Sequence, residues 1–291
     1  MINNNKNMLP WFVTGFSDAE GSFMVKLSKS NNLLGLKVQL DFSIGIHKSD
    51  LQILTEIKSF FNVGQISVRG NVAMYSVKSL REILEVIIPH FDKYPLFTKK
   101  NADFLLFKSA AFIMKSKNHL NSKGLQKILN IRASLNRGLT SILWDLFPNT
   151  VPLERFHINN YELNGDWLAG FVSGDGGFSI STSLNNTKGK ISFYITQNKR
   201  DKDLLESISI YLGCGTVVSS NKDTFNLQVR KFSDNYNIII PFFNKYTVKG
   251  IKYLNYLDWV AAASLIYNNG DIKEIIKIIE LKKQRKDSLF S

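Results

Sequence analysis

The chain has little cysteine and little proline: its 291 residues include one Cys and six Pro. A single thiol, Cys214, excludes a disulfide framework within the chain and a cysteine-rich zinc finger. We expect Cys214 to be a small core residue in a reducing compartment. No apolar run approaches the roughly 20 residues of a membrane-spanning helix. The first residues, MINNNKNMLPWF, also lack the features of a secretory signal or transit peptide, so we expect the protein to stay where it is made, away from membranes.

Acidic residues are the scarce charge. The sequence has 24 Asp and Glu against 37 Lys and Arg, which gives a net charge of +13. Such an excess favours a polyanionic partner. With 44% hydrophobic and 12% aromatic residues the chain has enough apolar material for a folded core, which excludes a disordered or collagen-like chain. The length alone leaves open one large domain or two smaller ones.

Two parts of the sequence repeat each other. WFVTGFSDAEGSF (11–23) corresponds to WLAGFVSGDGGF (167–178), which aligns Glu20 with Asp175 and Gly15 with Gly170. The correspondence continues through FSIGIHKSDLQIL (42–54) and FYITQNKRDKDLL (193–205), IIPHFDKY (87–94) and IIPFFNKY (239–246), and Lys100 and Lys252. Repeats of this kind indicate two copies of one structural unit. We predict a first unit at 1–147, a polar linker at 148–165 and a second unit at 166–291.

Each copy predicts the same order of elements. Short helices are expected at 10–20 and 166–175, started by Pro10 and Asp166 and stopped by Gly21 and Gly176. Apolar residues then alternate with polar ones, as in half-buried strands. Further helices are expected near 49–61, 79–90 and 99–115 in the first copy and near 201–212, 233–243 and 249–267 in the second. The fold class is therefore α+β, with an antiparallel sheet backed by helices in each half.

The outward face of each predicted sheet carries side chains that hydrogen-bond to base edges and phosphates. Any solvated sheet alternates in this way, but the net charge of +13 favours nucleic acid. The candidate contacts, which include two serines of the strand after the second short helix, are Met24, Lys26, Ser28, Lys37, Gln39, Asp41, Ser43, Arg69, Lys78, Ser179, Ser181, Lys190, Ser192, Tyr194, Asn226, Gln228 and Arg230. His47, His90, His119 and His157 lack metal-ligand spacing, and we interpret them as surface or phosphate-contacting residues.

The two short helices are apolar on nearly every side and must be buried. A glycine in the middle of each, Gly15 and Gly170, indicates close backbone approach. If the helices pack together across a pseudo-twofold axis, Glu20 and Asp175 lie side by side at their ends. Two neighbouring carboxylates repel each other unless cations are bound, and oxygen ligands without His or Cys favour Mg²⁺ over zinc.

The segments VTGFSDAEG (13–21) and LAGFVSGDG (168–176) resemble the two motifs of a single-chain LAGLIDADG homing endonuclease. FYITQNKRDKDLL, YLGCGTV and VRKFSDNYNIIIPFF are similar to segments of its fungal mitochondrial, intron-encoded branch. The resemblance extends over nearly the whole chain. It implies a monomer of two pseudo-symmetric αββαββα halves, with the motif helices at their interface and saddle-shaped sheets in the major groove of double-stranded DNA. It also implies a mitochondrial location.

The resemblance further implies hydrolysis of one phosphodiester in each strand of a long asymmetric site, leaving short 3′ overhangs. Glu20 and Asp175 would bind Mg²⁺ together with the backbone carbonyls of Ala19 and Gly174, and Mn²⁺ or Ca²⁺ could replace Mg²⁺ for binding. In the second half, Gln197 would orient water, Lys231 would offset phosphate charge and Asp234 would hold that lysine. Ile46 aligns with Gln197, so the two halves are unequal.

One motif residue departs from the family pattern. The second motif of the family commonly carries glutamate where this chain has Asp175, whose carboxylate reaches one methylene less far. Altered metal position or slower cleavage of one strand is therefore an expectation. Two alternatives stay open, an intron RNA maturase and a DNA-binding relative that no longer cleaves.

Overall fold

The computed structural model describes residues 8–31, 34–156, 161–183, 185 and 188–290. Its first half contains, in chain order, α1 (Pro10–Glu20), β1 (Gly21–Lys29), β2 (Leu36–His47), a 3₁₀ turn (Lys48–Asp50), α2 (Leu51–Phe61), β3 (Gln65–Arg69), β4 (Val72–Val77), α3 (Leu80–Glu82), a π-helical turn (Ile83–Ile87), α4 (Ile88–Lys93), α5 (Lys100–Lys115), a 3₁₀ turn (Asn118–Leu120), α6 (Ser122–Ser134) and α7 (Ser141–Leu146).

The second half repeats this order up to its long helix. It contains α8 (Gly165–Asp175), β5 (Gly176–Thr182), β6 (Gly189–Asn198), a 3₁₀ turn (Lys199–Asp201), α9 (Lys202–Leu212), β7 (Thr216–Asn221), β8 (Thr224–Val229), α10 (Phe232–Asp234), a π-helical turn (Asn235–Ile239), α11 (Ile240–Lys245), α12 (Ile251–Tyr267) and α13 (Ile272–Phe290). The predicted α+β fold of two pseudo-symmetric halves is confirmed. The predicted division of the chain into two units, with a linker at 148–165, stays a prediction.

Each half has a four-stranded antiparallel sheet, in the order β1-β2-β4-β3 and β5-β6-β8-β7. The registers agree, since Phe23 pairs with Phe42 in the first sheet and Phe178 with Phe193 in the second. These four rings are buried against the helices behind the sheets. One face of each sheet thus forms the core of its half, and the opposite face is left for another role.

The motif helices α1 and α8 pack against each other at the seam between the halves. A Cβ atom on Gly15 would collide with the carbonyl oxygen of Trp167, and one on Gly170 with that of Phe12. The predicted close approach at both glycines is therefore confirmed. The helices also exchange core residues, because Ala169 packs in the core of the first half. The two halves form a continuous interface.

Two details of the helix ends differ in part from expectation. Asp166 was expected to cap α8, but the side chain of Asn164 accepts the hydrogen bonds of the first backbone N–H groups, at 2.8 Å from Asp166 and 3.3 Å from Trp167. This prediction was wrong because the helix begins one residue earlier. Gly21 and Gly176 do follow the last helical residues, yet both have extended backbones and begin a strand. No room exists there for a side chain against the preceding helical turn.

Cys214 is buried in the core of the second half, as expected. The C-terminal helix α13 packs on α12 and β5. Among the described residues, no helix combines the length and the apolar character needed to cross a bilayer.

Candidate functional site

The paired motif helices bring Glu20 and Asp175 to neighbouring positions at one end of the seam. Each acid is the last residue of its helix, and each is partly buried. The missing side chain of Gly174 makes room for this arrangement, because a Cβ there would collide with Ala19 and lie 3.1 Å from Oε1 of Glu20. Glu20 therefore reaches across its own helix end toward the end of α8.

Both carboxyl groups are disfavoured as anions in the protein alone. Burial raises the pKa of Glu20, and the charge of Asp175 raises it further. Burial also raises the pKa of Asp175, against a lowering contribution from a hydrogen bond with Gln197. Among the described residues, Glu20 forms no ion pair and no side-chain hydrogen bond. No Lys or Arg among them forms an ion pair with Asp175. A bound cation would stabilise the two carboxylates as anions, as in a cation site.

Two lysines lie beside these acids without pairing to them. The Lys100 ammonium donates to the carbonyl oxygen of Ala19 at 2.5 Å and to that of Ser17 at 3.4 Å. The Lys252 ammonium donates to the carbonyl of Gly176. Burial lowers the pKa of both lysines, and the nearby carboxylates oppose that shift. The carbonyl of Ala19, one of the predicted metal ligands, thus already accepts a hydrogen bond.

The acids and lysines line two open clefts, one on each side of the helix ends. The cleft around Asp175, about 390 Å³, also contains Gln197 and Lys100. The cleft around Glu20, about 450 Å³, also contains Ile46 and Lys252. We call these the Asp175 cleft and the Glu20 cleft. Each contains an acid from one half and a lysine from the other, so each is built by both halves of the chain.

The sequence did not single out these lysines as functional residues. The signal was present, because Lys100 and Lys252 occupy matching places in the repeat. Asp18 was missed as well. It is buried, and it accepts hydrogen bonds from the backbone N–H groups of Phe97 and Thr98 in the segment that leads to α5. Burial raises the pKa of Asp18 to about 6, although its hydrogen bonds act in the opposite direction.

The predicted accessory residues separate into two groups. Gln197 donates from Nε2 to Oδ2 of Asp175 at 2.6 Å, which leaves its amide oxygen as a possible acceptor in the cleft. Lys231 and Asp234 form an ion pair of 3.5 Å, but they line neither of the two clefts. Lys100, rather than Lys231, is the lysine that the Asp175 cleft contains. The catalytic role of Lys231 stays a prediction.

The outward sheet faces carry the predicted nucleic-acid contacts, with two exceptions. Asp41 and Ser43 are buried, with 1% and 4% of their surfaces exposed. The expectation that both are accessible was wrong: they alternate with the core residues Leu40 and Phe42 but are buried, and the ammonium of Lys26 lies 2.6 Å from Oδ2 of Asp41. The other predicted contacts are exposed or half-exposed: Met24, Lys26, Ser28, Lys37, Gln39, Arg69, Lys78, Ser179, Ser181, Lys190, Ser192, Tyr194, Asn226, Gln228 and Arg230.

The histidines differ in their surroundings. His47 lines the Glu20 cleft and His119 is half-exposed. His90 is buried, and its Nε2 lies 3.1 Å from Oγ1 of Thr14 on the first motif helix. Burial lowers the pKa of His90 to about 3, so the ring is neutral at pH 7. The prediction of a surface role for His90 was wrong, and His157 lies outside the described residues.

The sequence matches known proteins over most of its length. A family profile described as LAGLIDADG endonuclease matches residues 13–111 and 168–263, which contain most of each motif helix and both sheets. Two relatives from Neurospora crassa, named probable intron-encoded endonucleases 2 and 3, are 38% and 36% identical over 94% and 93% of this chain. The chain spans only 64% and 52% of their own lengths. A mitochondrial protein of Saccharomyces cerevisiae named RF1 is 28% identical over 72% of the chain.

Solved structures match this chain in fold as well as in sequence. I-SmaMI, described as a LAGLIDADG homing endonuclease bound to cleaved DNA, superposes with a TM-score of 0.89 at 40% identity and covers 94% of this chain and 95% of its own. I-GzeII in complex with its DNA target gives 0.89 at 41% identity, over 93% and 97%. The profile, the relatives and the fold all agree with the doubled motif. The chain belongs to the LAGLIDADG endonuclease family.

Proposed function

We propose that this protein is a site-specific DNA endonuclease that binds a long duplex with its two sheets and hydrolyses one phosphodiester in each strand with the help of divalent cations. The observation that carries the proposal is the pair of partly buried acids, Glu20 and Asp175, which form no ion pair among the described residues and lie between two clefts that each contain a lysine. The relatives support it, since I-SmaMI was solved on uncleaved target DNA with calcium ions and on cleaved DNA.

The residues present suit a hard divalent cation. Magnesium is usually held by one or two carboxylates together with substrate phosphates, rather than by a full set of protein ligands. Glu20 and Asp175 supply two carboxylates, and no cluster of three or more His, Cys, Asp or Glu suited to a metal occurs among the described residues. A phosphate of the DNA would complete the site. When bound, Mg²⁺ supplies positive charge that stabilises the negative charge developing on the phosphate oxygens.

The remaining steps are assigned to side chains of this chain. The exposed cations of the sheet faces, such as Lys37, Lys190 and Arg230, would hold the DNA backbone and orient it over the seam. The amide oxygen of Gln197 would orient a water molecule in the Asp175 cleft. Lys100 and Lys252 would face the phosphates, and a lysine whose pKa is lowered by burial is also suited to proton transfer.

The clefts differ at the position of Gln197. Ile46 takes the place of Gln197 in the Glu20 cleft and cannot accept a hydrogen bond through its side chain. We therefore expect the two strands to be cut at different rates. The resemblance of the two motifs to the family supports cuts across the minor groove that leave short 3′ overhangs. The intron-encoded relatives support a mitochondrial location.

The proposal is tested by selecting the cleaved members of a randomised duplex library and cloning the enriched sequence into a plasmid. We expect Mg²⁺-dependent linearisation, with Mn²⁺ as a substitute. Glu20→Gln and Asp175→Asn should abolish linearisation while binding in Ca²⁺ is kept, and Glu280→Gln, an exposed change on α13, should have no effect. Absence of cleavage with every divalent cation would overturn the proposal, and tight binding to a host intron RNA would then favour the maturase alternative.

A further inference from the structure

In each half an aspartate forms a hydrogen bond with the other half, at the start of the helix that carries a cleft lysine. Oδ1 of Asp50 accepts a hydrogen bond from the backbone N–H of Ile251 at 2.7 Å. Oδ1 of Asp201 accepts one from the backbone N–H of Lys99 at 2.8 Å. In each case the next residue along the chain is the cleft lysine, Lys252 or Lys100. We call these contacts the two cross-clamps.

The cross-clamps occupy equivalent places in the two halves. Asp50 ends the 3₁₀ turn after β2, and Asp201 ends the matching turn after β6. Each turn directly follows the strand end that lines a cleft, and each aspartate is itself a lining residue, Asp50 of the Glu20 cleft and Asp201 of the Asp175 cleft. The same hydrogen bond therefore occurs in both copies of the repeat.

The chain is shaped to receive Asp50. Gly250 precedes Ile251 with φ of +69°, a left-handed conformation that favours glycine. A Cβ at that position would collide with the carboxylate of Asp50 and lie 2.8 Å from Ile53. On the other side, Asp201 is buried, with 7% of its surface exposed. Burial raises the pKa of both aspartates, and the hydrogen bond from the opposite half opposes that shift.

Each cross-clamp supplies a carboxylate acceptor at a helix start, and at the start of α5 it acts beside the hydroxyl of Thr98, which accepts from the backbone N–H of Lys100 at 3.2 Å. Neither Lys99 at the start of α5 nor Gly250 at the start of α12 forms a side-chain capping hydrogen bond. The first N–H groups of a helix have no partner within it, and a carboxylate there satisfies the donor and the helix dipole together. Loss of the aspartate would remove one of the hydrogen bonds that hold the first turn, and the turn and its lysine could then shift.

We propose that Asp50 and Asp201 are positioning residues, each of which holds the lysine of the opposite half in the cleft that contains its own half's acid. Asp50 holds Lys252 near Glu20, and Asp201 holds Lys100 near Asp175. Each cleft is then competent only when the halves are docked. The inference rests on the proposed endonuclease function, because that function gives the lysines their task.

Strand-resolved cleavage separates this role from a general loss of stability. With a different label on each strand, Glu20→Gln and Asp175→Asn identify the strand that each cleft cuts. We expect Asp50→Ala to slow the strand of the Glu20 cleft on the order of tenfold to a hundredfold, since small misplacements of a reacting group cost that much. Asp201→Ala should slow the other strand. The Asn variants keep a carbonyl acceptor and should recover most of the rate.

A control is available just before α13. The carboxylate of Asp271 accepts a hydrogen bond from the backbone N–H of Lys273 at 2.9 Å, outside both clefts. Asp271→Ala removes a comparable cap and should leave the ratio of the two strand rates unchanged. If Asp50→Ala and Asp201→Ala slow both strands equally, as a purely structural role would, the inference is wrong.

Amide hydrogen exchange tests the clamp without cleavage or metal. In the metal-free protein, Asp50→Ala should speed exchange at the amide of Ile251 on the order of tenfold or more, and Asp201→Ala should do so at Lys99, because a protecting hydrogen bond is lost. Unchanged exchange would overturn the inference. If the two variants show the expected faster exchange but the wild type cuts no DNA, the proposed function is wrong, while the two cross-clamp hydrogen bonds are still supported.

Discussion

Trp167 of the second motif helix donates its indole N–H to the carboxylate of Asp18 on the first, at 2.8 Å. The same carboxylate accepts hydrogen bonds from the backbone of Phe97 and Thr98 and from the hydroxyl of Thr98. Asp18 thereby joins the helix interface to the segment that precedes α5. Because α5 begins with Lys100, the buried carboxylate links the seam of the molecule to one lysine of the Asp175 cleft.

We expect Asp18→Ala to reduce the free energy of unfolding by about 3 kcal/mol, since it leaves several buried donors without a partner. Trp167→Phe removes a single donor and should cost about 1–2 kcal/mol. Urea titration followed by circular dichroism measures both. Asp145 is exposed on α7, so Asp145→Ala serves as the control and should change little. Equal stabilities for the Asp18 and Asp145 variants would contradict the assigned role.

The sequence was sufficient for features that depend on local pattern, and insufficient for those that depend on neighbours in space. Alternation of apolar residues predicted the strands, but it did not predict the burial of Asp41, whose carboxylate pairs with the ammonium of Lys26 on the neighbouring strand. The cap of α8 depends on the helix beginning one residue earlier, where Asn164 is placed. The repeat displayed Lys100 and Lys252 as a pair, yet only the docked halves put each beside the acid of the other.

The two interface glycines predict a clear effect on stability. We expect Gly15→Ala and Gly170→Ala each to destabilise the protein by about 1–3 kcal/mol or more. The added methyl group collides with backbone atoms of the facing helix, which can move only if the whole helix shifts. Gly45 on β2 is a suitable control, since a Cβ there would make an ordinary 3.6 Å contact with Met74. Thermal unfolding should show a large shift for the first two variants and less than about 0.5 kcal/mol for the third.

The contribution of Glu20 and Asp175 to the stability of the metal-free protein should fall as the pH rises above about 4. The pKa of Glu20 and that of Asp175 are raised by burial, so the folded protein keeps protons that the unfolded chain has already released. When the folded state binds more protons, the free energy of unfolding falls with increasing pH until the raised pKa values are passed. Removing either charge should therefore stabilise the metal-free protein at pH 7.

Melting temperatures with EDTA measure this effect. Glu20→Gln should melt a few degrees above the wild type at pH 7, and the difference should shrink toward pH 4, where both forms are uncharged at this position. Adding Mg²⁺ should raise the melting temperature of the wild type more than that of the variant. A variant that melts at or below the wild type at pH 7 would show that the acids do not repel each other.

The salt dependence of DNA binding should distinguish two lysines on the same sheet face. Lys37 is exposed, while the ammonium of Lys26 already pairs with Asp41 at 2.6 Å. Lys37→Ala should lower the slope of log affinity against log salt by about one, the value for one phosphate contact. Lys26→Ala should lower it less, and Asp41→Asn should raise affinity by releasing Lys26.

Fluorescence anisotropy with Ca²⁺ and a labelled duplex, at several salt concentrations, measures these slopes. Lys127 on α6 lies in the helical layer behind the first sheet, and Lys127→Ala is the control. If it changed the slope as much as Lys37→Ala, the sheet face would not be the surface that meets the phosphates.

Replacement of Asp175 by glutamate should change the rate of cutting on one strand only. Oδ2 of Asp175 is held by Gln197 at 2.6 Å, so the longer side chain must either displace that amide or move its carboxylate into the cleft. The Glu20 cleft keeps its own acid and lysine. The rate of its strand should therefore remain within about twofold, while the strand of the Asp175 cleft changes by about threefold or more, roughly 0.7 kcal/mol in the barrier. Single-turnover nicking with each strand labelled gives both rates, and equal rates in the wild type that stay equal in the Asp175→Glu variant would sink the expected asymmetry.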